Sequence, residues 1–169
     1  MGGTISVQSV KGQGSTFTVV MPFRLTTSDE QHPAGGESSA QTVGSMSGRK
    51  VLLVDDNELN REIATEMLQD TGLTVDTAEN GVVAVAKVKA KGPTYYDCIL
   101  MDVQMPLKNG YEATHDIRQL PDGDKAVIIA LSANAFEEDR QKSREAGMNA
   151  HIAKPINIKE LISTMVSFF

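Results

Sequence analysis

Four apolar residues without a polar break, Val51-Leu52-Leu53-Val54, run straight into two adjacent carboxylates, Asp55 and Asp56, and then Asn57. An unbroken run of this length fits a strand buried on both faces, as in a parallel sheet. The acids then fall at its carboxyl end, where open α/β sheets bind ligands. Adjacent carboxylates repel, and burying them is costly unless a cation neutralises them. Hard oxygen donors suit Mg²⁺. A solvated turn that caps the next helix would account for the same residues. The deciding question is whether other strands bring matching groups to the same edge.

They do. From Arg49 onward, strand patterns alternate with helical ones. Thr74–Ala78 reads as a second, short strand. Cys98-Ile99-Leu100-Met101-Asp102 is a third and again ends in an acid, Ala126–Leu131 is a fourth that ends at Ser132, and Ala150–Ala153 is a fifth that ends at Lys154-Pro155. The first helix follows Asn57, with Leu59, Ile63, Ala64, Met67 and Leu68 on one face, and stops at Gly72. The second opens at Asn80-Gly81 and is broken by Gly92-Pro93. The third covers Tyr111–Gln119, after a loop marked by Pro106 and Gly110. The fourth carries Glu137, Glu138 and Asp139 early and Arg140, Lys142 and Arg144 late, matching the helix dipole. The last presents Ile158, Leu161, Ile162, Met165, Val166 and Phe169 at core-face spacing.

Five βα units predict a doubly wound parallel sheet with right-handed crossovers and helices on both faces. Such a sheet delivers Asp55, Asp56, Asp102, Ser132 and Lys154 to one edge. These groups suit phosphoryl transfer, where positioning and charge neutralisation dominate. Mg²⁺ between Asp56 and Asp102 would neutralise carboxylates and polarise phosphoryl oxygens. Lys154 would add a second cation, Ser132 a donor, and an aspartate a nucleophile able to form an aspartyl phosphate.

The excess of 22 acidic over 16 basic residues argues against a nucleic-acid surface. The single cysteine, Cys98, sits in an apolar run and reads as a core residue, so no disulfide framework is expected, in keeping with a cytoplasmic setting. No apolar run reaches the roughly 18 residues of a membrane span, and residues 1–4 show no signal region, so no direct membrane contact is expected. Residues 4–9 and 16–20 flank Lys11-Gly12-Gln13-Gly14-Ser15 and predict a hairpin, marginal on its own in water. Residues 24–48, rich in Ser, Gly, Thr and Gln, read as a flexible linker in which His32 is solvated.

Residues 49–169 resemble the response-regulator receiver domain. The motifs are Val-Asp55-Asp56-Asn, Met-Asp102-Val-Gln-Met-Pro106, Asn109-Gly110, Leu131-Ser132-Ala133 and Ala153-Lys154-Pro155. The resemblance implies a flavodoxin-like fold with strand order 2-1-3-4-5. It implies that Asp102 accepts phosphate from a phosphohistidine, that Asp55, Asp56, Asp102 and the Gln104 carbonyl organise Mg²⁺ (Mn²⁺ is an alternative ion), and that Ser132 and Lys154 contact the phosphoryl group. It also implies a cis bond before Pro155 and a switch pairing Ser132 with residue 151. Two positions depart from the pattern: Lys108-Asn109 stands for an apolar-Asp pair, and His151 for a Tyr or Phe. His151 lies three residues before Lys154, so the strand period points it to the opposite face.

Gly2-Gly3-Thr4-Ile5, Gly12-Gln13-Gly14-Ser15-Thr16-Phe17 and Met21-Pro22-Phe23 resemble the last segment of a histidine-kinase ATP-binding domain. The other walls of a nucleotide pocket are missing, so no ATP binding is expected of residues 1–23, and the chain is not a complete kinase. The expected organisation is a kinase remnant over 1–23, a linker over 24–48 and a receiver over 49–169, as at the end of a hybrid sensor histidine kinase. The receiver would catalyse its own phosphorylation and dephosphorylation. It would act as a monomer on a histidine kinase core or a histidine phosphotransfer protein, with a membrane-anchored parent compatible with this. One alternative is an aspartyl-nucleophile phosphatase, although such enzymes need Asp-x-Asp where this chain has adjacent acids. Another is an interaction module that is never phosphorylated. Thr114-His115-Asp116 imitates a kinase phosphoacceptor box but falls on a short helix, where a solvated face explains it.

Overall fold

A computed structural model describes residues 4–10, 12, 14–20, 46–133 and 136–169. The readings of Gly2-Gly3, Lys11, Gln13, Met21-Pro22-Phe23, His32 and linker residues 24–45 lie outside the described residues. The chain divides into two compact units.

The first holds β1 (Thr4–Val10) and β2 (Gly14–Val20), an antiparallel pair in the register Ile5↔Val19 and Val7↔Phe17. Strand alternation gathers these four apolar residues on one face. All four are more than half exposed in the described structure.

The second unit contains β3 (Lys50–Val54), α1 (Glu58–Gln69), β4 (Thr74–Ala78), α2 (Gly81–Lys91), β5 (Cys98–Asp102), α3 (Gly110–Arg118), β6 (Ile128–Ser132), α4 (Glu137–Glu145), β7 (Ala150–Ala153) and α5 (Ile158–Val166). The five strands pair in the parallel order β4-β3-β5-β6-β7, the order the receiver resemblance implied. Successive residues of the three central strands split between two cores. Leu52, Val54, Ile99, Met101, Ile128 and Ala130 meet Ala84 and Val88 of α2 and Ala113 and Ile117 of α3. Val51, Leu53, Cys98, Leu100, Ile129 and Leu131 meet Leu68 of α1 and Leu161 and Met165 of α5. A strand clothed on both sides cannot alternate with polar residues, hence the unbroken apolar runs. Each fully buried aliphatic side chain contributes roughly 1.5–3 kcal/mol.

Asparagines start four helices: the side chains of Asn57, Asn80, Asn109 and Asn157 accept backbone N–H groups of the first turn, and Asn109 forms a capping box with Glu112. Two sequence expectations shift. The unit begins before the composition change at residue 49, because Met46 is fully buried in the second core and Gly48 N–H donates to the Gly72 carbonyl. On α1 only Leu68 is fully buried, while Leu59 and Ile63 are 61% and 50% exposed. The apolar stripe there is wider than the sheet can cover. No helix among the described residues is long and apolar enough to cross a membrane.

Candidate active site

Parallel pairing aligns the ends of β3, β5, β6 and β7, and the site lies on that edge. Asp55 and Asp102 are 3% and 5% exposed, and Asp56 is exposed. One carboxylate oxygen from each of the three lies within 4.8 Å of the others. Three oxygen donors this close, two of them almost dry, suit a hard divalent cation. Lys154 closes the group from β7: its Nζ donates to Asp55 Oδ2 at 2.6 Å and to Asp102 Oδ2 at 2.7 Å.

The surrounding backbone holds these carboxylates in place. Asp55 Oδ1 accepts from Asn57 N–H at 2.9 Å and from Asn60 Nδ2 at 3.3 Å, and Arg61 caps the Asp55 carbonyl at 2.7 Å. Asp102 Oδ1 accepts from Gln104 N–H at 3.2 Å. The loop after β5 folds back so closely that a Cβ on Gly110 would fall 2.3 Å from the Asp102 carbonyl oxygen. Gly81 plays the matching part on α2, where a Cβ would lie 2.6 Å from the Lys108 carbonyl. Leu107, in the same loop, has φ of +68° and is 85% exposed. Gln104 lines a cavity of about 480 Å³ with Asp56, Asn109 and Tyr111. The Lys154–Pro155 bond is cis.

Burial pushes the Asp102 carboxyl up from its ordinary value, the negative charge of Asp55 adds to the rise, and Lys154 pulls the other way. Burial alone would lower Lys154, but its bonds to Asp102 and Asp55 outweigh that and raise it. The ammonium is therefore firmly charged, and Asp102 stays above its ordinary value despite it.

Ser132 is 4% exposed, and its Oγ lies 2.9 Å from His151 Nε2. His151 Nδ1 lies 3.1 Å from Ser143 Oγ on α4, so the ring is half-buried between two hydroxyls. The structure thus brings Asp55, Asp56, Asp102 and Lys154 together and joins Ser132 to His151. His115 lies exposed on α3. Sequence reasoning missed Asn60, Arg61 and Ser143. Asn60 and Arg61, one helical turn after Asp56, were open to a helix-geometry argument, but nothing in the sequence pointed to Ser143.

The family model for the response regulator receiver domain matches residues 51–166. The chain is 39% identical over 143 residues to hybrid signal transduction histidine kinase L of Dictyostelium discoideum, covering 79% of this chain and 8% of that protein. It is 37% identical over 167 residues to the autoinducer 2 sensor kinase/phosphatase LuxQ of Vibrio vulnificus, covering 98% of this chain and 19% of LuxQ. It is 32% identical over 170 residues to the aerobic respiration control sensor protein ArcB of Escherichia coli, covering all of this chain and 21% of ArcB. The chain therefore spans about a fifth or less of these relatives. Among solved structures, the receiver domain of sensor histidine kinase PA1611 from Pseudomonas aeruginosa, with magnesium in its active-site cleft, superposes with a TM-score of 0.66 at 38% identity, covering 72% of this chain and 98% of that one. The Ssk1 receiver of Saccharomyces cerevisiae, crystallised with the phosphotransfer protein Ypd1, also gives 0.66, at 28% identity over 73% and 90% of the two chains.

Proposed function

The chain belongs to the response regulator receiver domain family, a phosphoacceptor module of two-component phosphorelays, and on that premise we propose that Asp102 is its phosphoacceptor. The observation that carries this is Lys154 bonded at once to Asp55 and Asp102 beside the exposed Asp56. An Asp102 carboxylate oxygen attacks the phosphorus of a phosphohistidine. The new O–P bond replaces the N–P bond, and the electron pair leaves with the imidazole. Lys154, already at the acceptor carboxylate, donates to a phosphoryl oxygen as charge moves onto it, and Ser132 donates to another. Asp55, Asp56, Asp102 and the Gln104 carbonyl would hold Mg²⁺, with Mn²⁺ as an alternative. The ion supplies charge neutralisation at the transferred group. Water attack on the same phosphorus reverses the modification.

The partner is a histidine-bearing helical protein, either a phosphotransfer protein or the core of the parent kinase. Support comes from a groove of about 470 Å³ whose walls include Ile63, Met67, Ile156 and Ile158 and whose floor reaches Asp55 and Lys154. Leu59, one helical turn before Ile63 on α1, is exposed as well. The Ssk1 receiver, a structural neighbour, is known in complex with such a protein. The match to ArcB covers the whole chain and that to LuxQ 98% of it, which supports a kinase remnant and linker ahead of the receiver in a hybrid kinase.

Incubation with a small acyl phosphate and Mg²⁺, followed by intact-mass measurement, tests the assignment. One phosphate is expected on the wild type and none on Asp102→Asn. Wild-type labelling of Asp102→Asn would refute it.

A further inference from the structure

Among the described residues of the second unit, the three most exposed large apolar side chains are Leu107 (85%), Phe136 (71%) and Leu59 (61%). Each follows a strand-end residue of the acceptor site by four or five positions: Leu59 after Asp55, Leu107 after Asp102, Phe136 after Ser132. They stand on three different connections leaving one edge of the sheet. A single exposed leucine needs no explanation, but two of these residues sit where local chemistry favours another. Leu107 has φ of +68°, a left-handed backbone that glycine, asparagine and aspartate accept and a bulky side chain resists. Phe136 is the N-cap of α4 and makes no side-chain bond to its first turn. An asparagine caps each of the other four α-helices. Neither Leu107 nor Phe136 belongs to either core, so no burial offsets what each position loses.

We propose that Leu107 and Phe136 complete, with Leu59, an apolar collar round the phosphoacceptor edge, on which the histidine-bearing helical protein seats its own apolar surface during phosphoryl transfer. This rests on the reading that Asp102 exchanges phosphate with a phosphohistidine. Transfer needs the imidazole nitrogen within bonding reach of the phosphorus, so the partner must cover this edge whatever else it touches. A stable interface takes about 800 Å² on each side, a patch of about 16 Å radius. Four or five residues of chain reach at most about 13–18 Å. The loop bearing Leu107 is also drawn back, with Gly110 N–H donating to the Val103 carbonyl at 3.0 Å. All three side chains therefore fall inside that patch or at its border. Its centre is charged, with three carboxylates and Lys154. An apolar ring round a polar centre keeps water from the groups it encloses, and water is the competitor for the phosphoryl group here. The occupant this collar fits is a helix whose histidine is flanked by apolar side chains. A small phosphodonor has no such surface, so the collar selects the donor and leaves the acceptor chemistry alone.

The test phosphorylates the full chain with an acyl phosphate and Mg²⁺, removes the donor, adds the phosphotransfer protein Ypd1 and follows the phosphate on both proteins by intact mass. Leu107→Asn and Phe136→Ser put the locally favoured residue at each position. Both variants should keep wild-type labelling by the acyl phosphate and a urea midpoint at or above that of the wild type. Each should slow transfer to Ypd1 at least fivefold (roughly 1 kcal/mol of barrier). Leu107→Met and Phe136→Tyr, which keep an apolar body, should transfer as the wild type does. Wild-type transfer in Leu107→Asn or in Phe136→Ser would overturn the collar. Labelling that slows in parallel with transfer would do the same, because the loops would then act on the acceptor itself. So would a lowered midpoint, because the side chains would then serve the fold. A wild type that takes no phosphate would instead overturn the acceptor reading. A wild type that is labelled but passes nothing to Ypd1 would overturn the partner class, and the collar with it.

Discussion

Replacing Lys154 by methionine keeps most of the apolar stem and removes the ammonium that bonds both Asp55 and Asp102. Lys154 sits 2.6 and 2.7 Å from the two carboxylates, whose side chains are 4% and 7% exposed, and is itself only 22% exposed. Little solvent is available to replace it. Two like charges within 4.8 Å repel by about 3–4 kcal/mol at an effective dielectric of 20. Removing one partner of a buried pair costs about 3–5 kcal/mol. The loss should depend on pH in a definite direction. Asp102 is already raised in the folded protein, and the variant lacks the group that holds it down. A folded-state rise means that a bound proton favours folding. That contribution is complete below the ordinary aspartate value of about 3.9 and is lost as pH rises through the folded value. Lys154→Met should therefore be about 3–5 kcal/mol less stable than wild type at pH 7.5 without divalent ions, and the gap should narrow at pH 5. Urea unfolding at both pH values measures it. An equal loss at both would mean that Lys154 acts through packing, and a loss under about 1 kcal/mol would mean that water screens the pair; either result refutes the charge argument.

Gly110→Ala should cost about 1–3 kcal/mol, the usual range for overpacking, because its Cβ would fall 2.3 Å from the Asp102 carbonyl oxygen. Calorimetry should also show weaker Mg²⁺ binding, and unchanged stability and binding would show that the loop yields freely. Asp76, held well below the usual carboxylate range against its burial by bonds from Lys87, Lys91 and Tyr96, contributes stability present above the unfolded carboxyl value and lost as pH falls through the folded one. Asp76→Asn should accordingly lower the urea midpoint at pH 7 and lower it less in strong acid, and a constant difference would contradict this. Leu59→Asp with Ile63→Asp should leave acyl-phosphate labelling intact, since both side chains are at least half exposed, but should slow transfer from a phosphorylated histidine phosphotransfer protein at least tenfold. Equal transfer rates would move the docking face elsewhere.

What could be read from the sequence followed from periodicity and strand ends. The three runs closing in Asp55-Asp56, Asp102 and Ser132 are apolar throughout because both faces of β3, β5 and β6 are covered, and a parallel sheet then gathers their last residues. The strand order came only through the resemblance to receivers, because periodicity says which strands are buried and not which are neighbours. On α1 the same signal overreached: Leu59 and Ile63 repeat at helical spacing as core residues do, yet hydrophobic spacing cannot tell a core from an exposed groove. Met46 was hidden by its Ser- and Gly-rich surroundings, since composition averages over a window and burial is decided one side chain at a time. Ser143 was out of reach, because its meaning depends on a ring eight residues away whose direction only the packing of α4 against β7 sets.

The charges at the strand edge show why phosphate and metal should depend on each other here. Asp55, Asp56 and Asp102 bring three negative charges and Lys154 one positive, an excess of two that matches one divalent cation. Lys154 cannot neutralise both buried carboxylates, and the raised Asp102 is where the shortfall falls. A phosphoryl group on Asp102 would enlarge that excess at a site with little water to screen it. Bound cation should therefore tighten phosphoryl mimics, and bound mimic should tighten the cation by the same factor, as linkage requires. The exposed Asp56 is the acid best placed to set that factor, because it adds charge to the site without forming a bond to Lys154 in the resting protein.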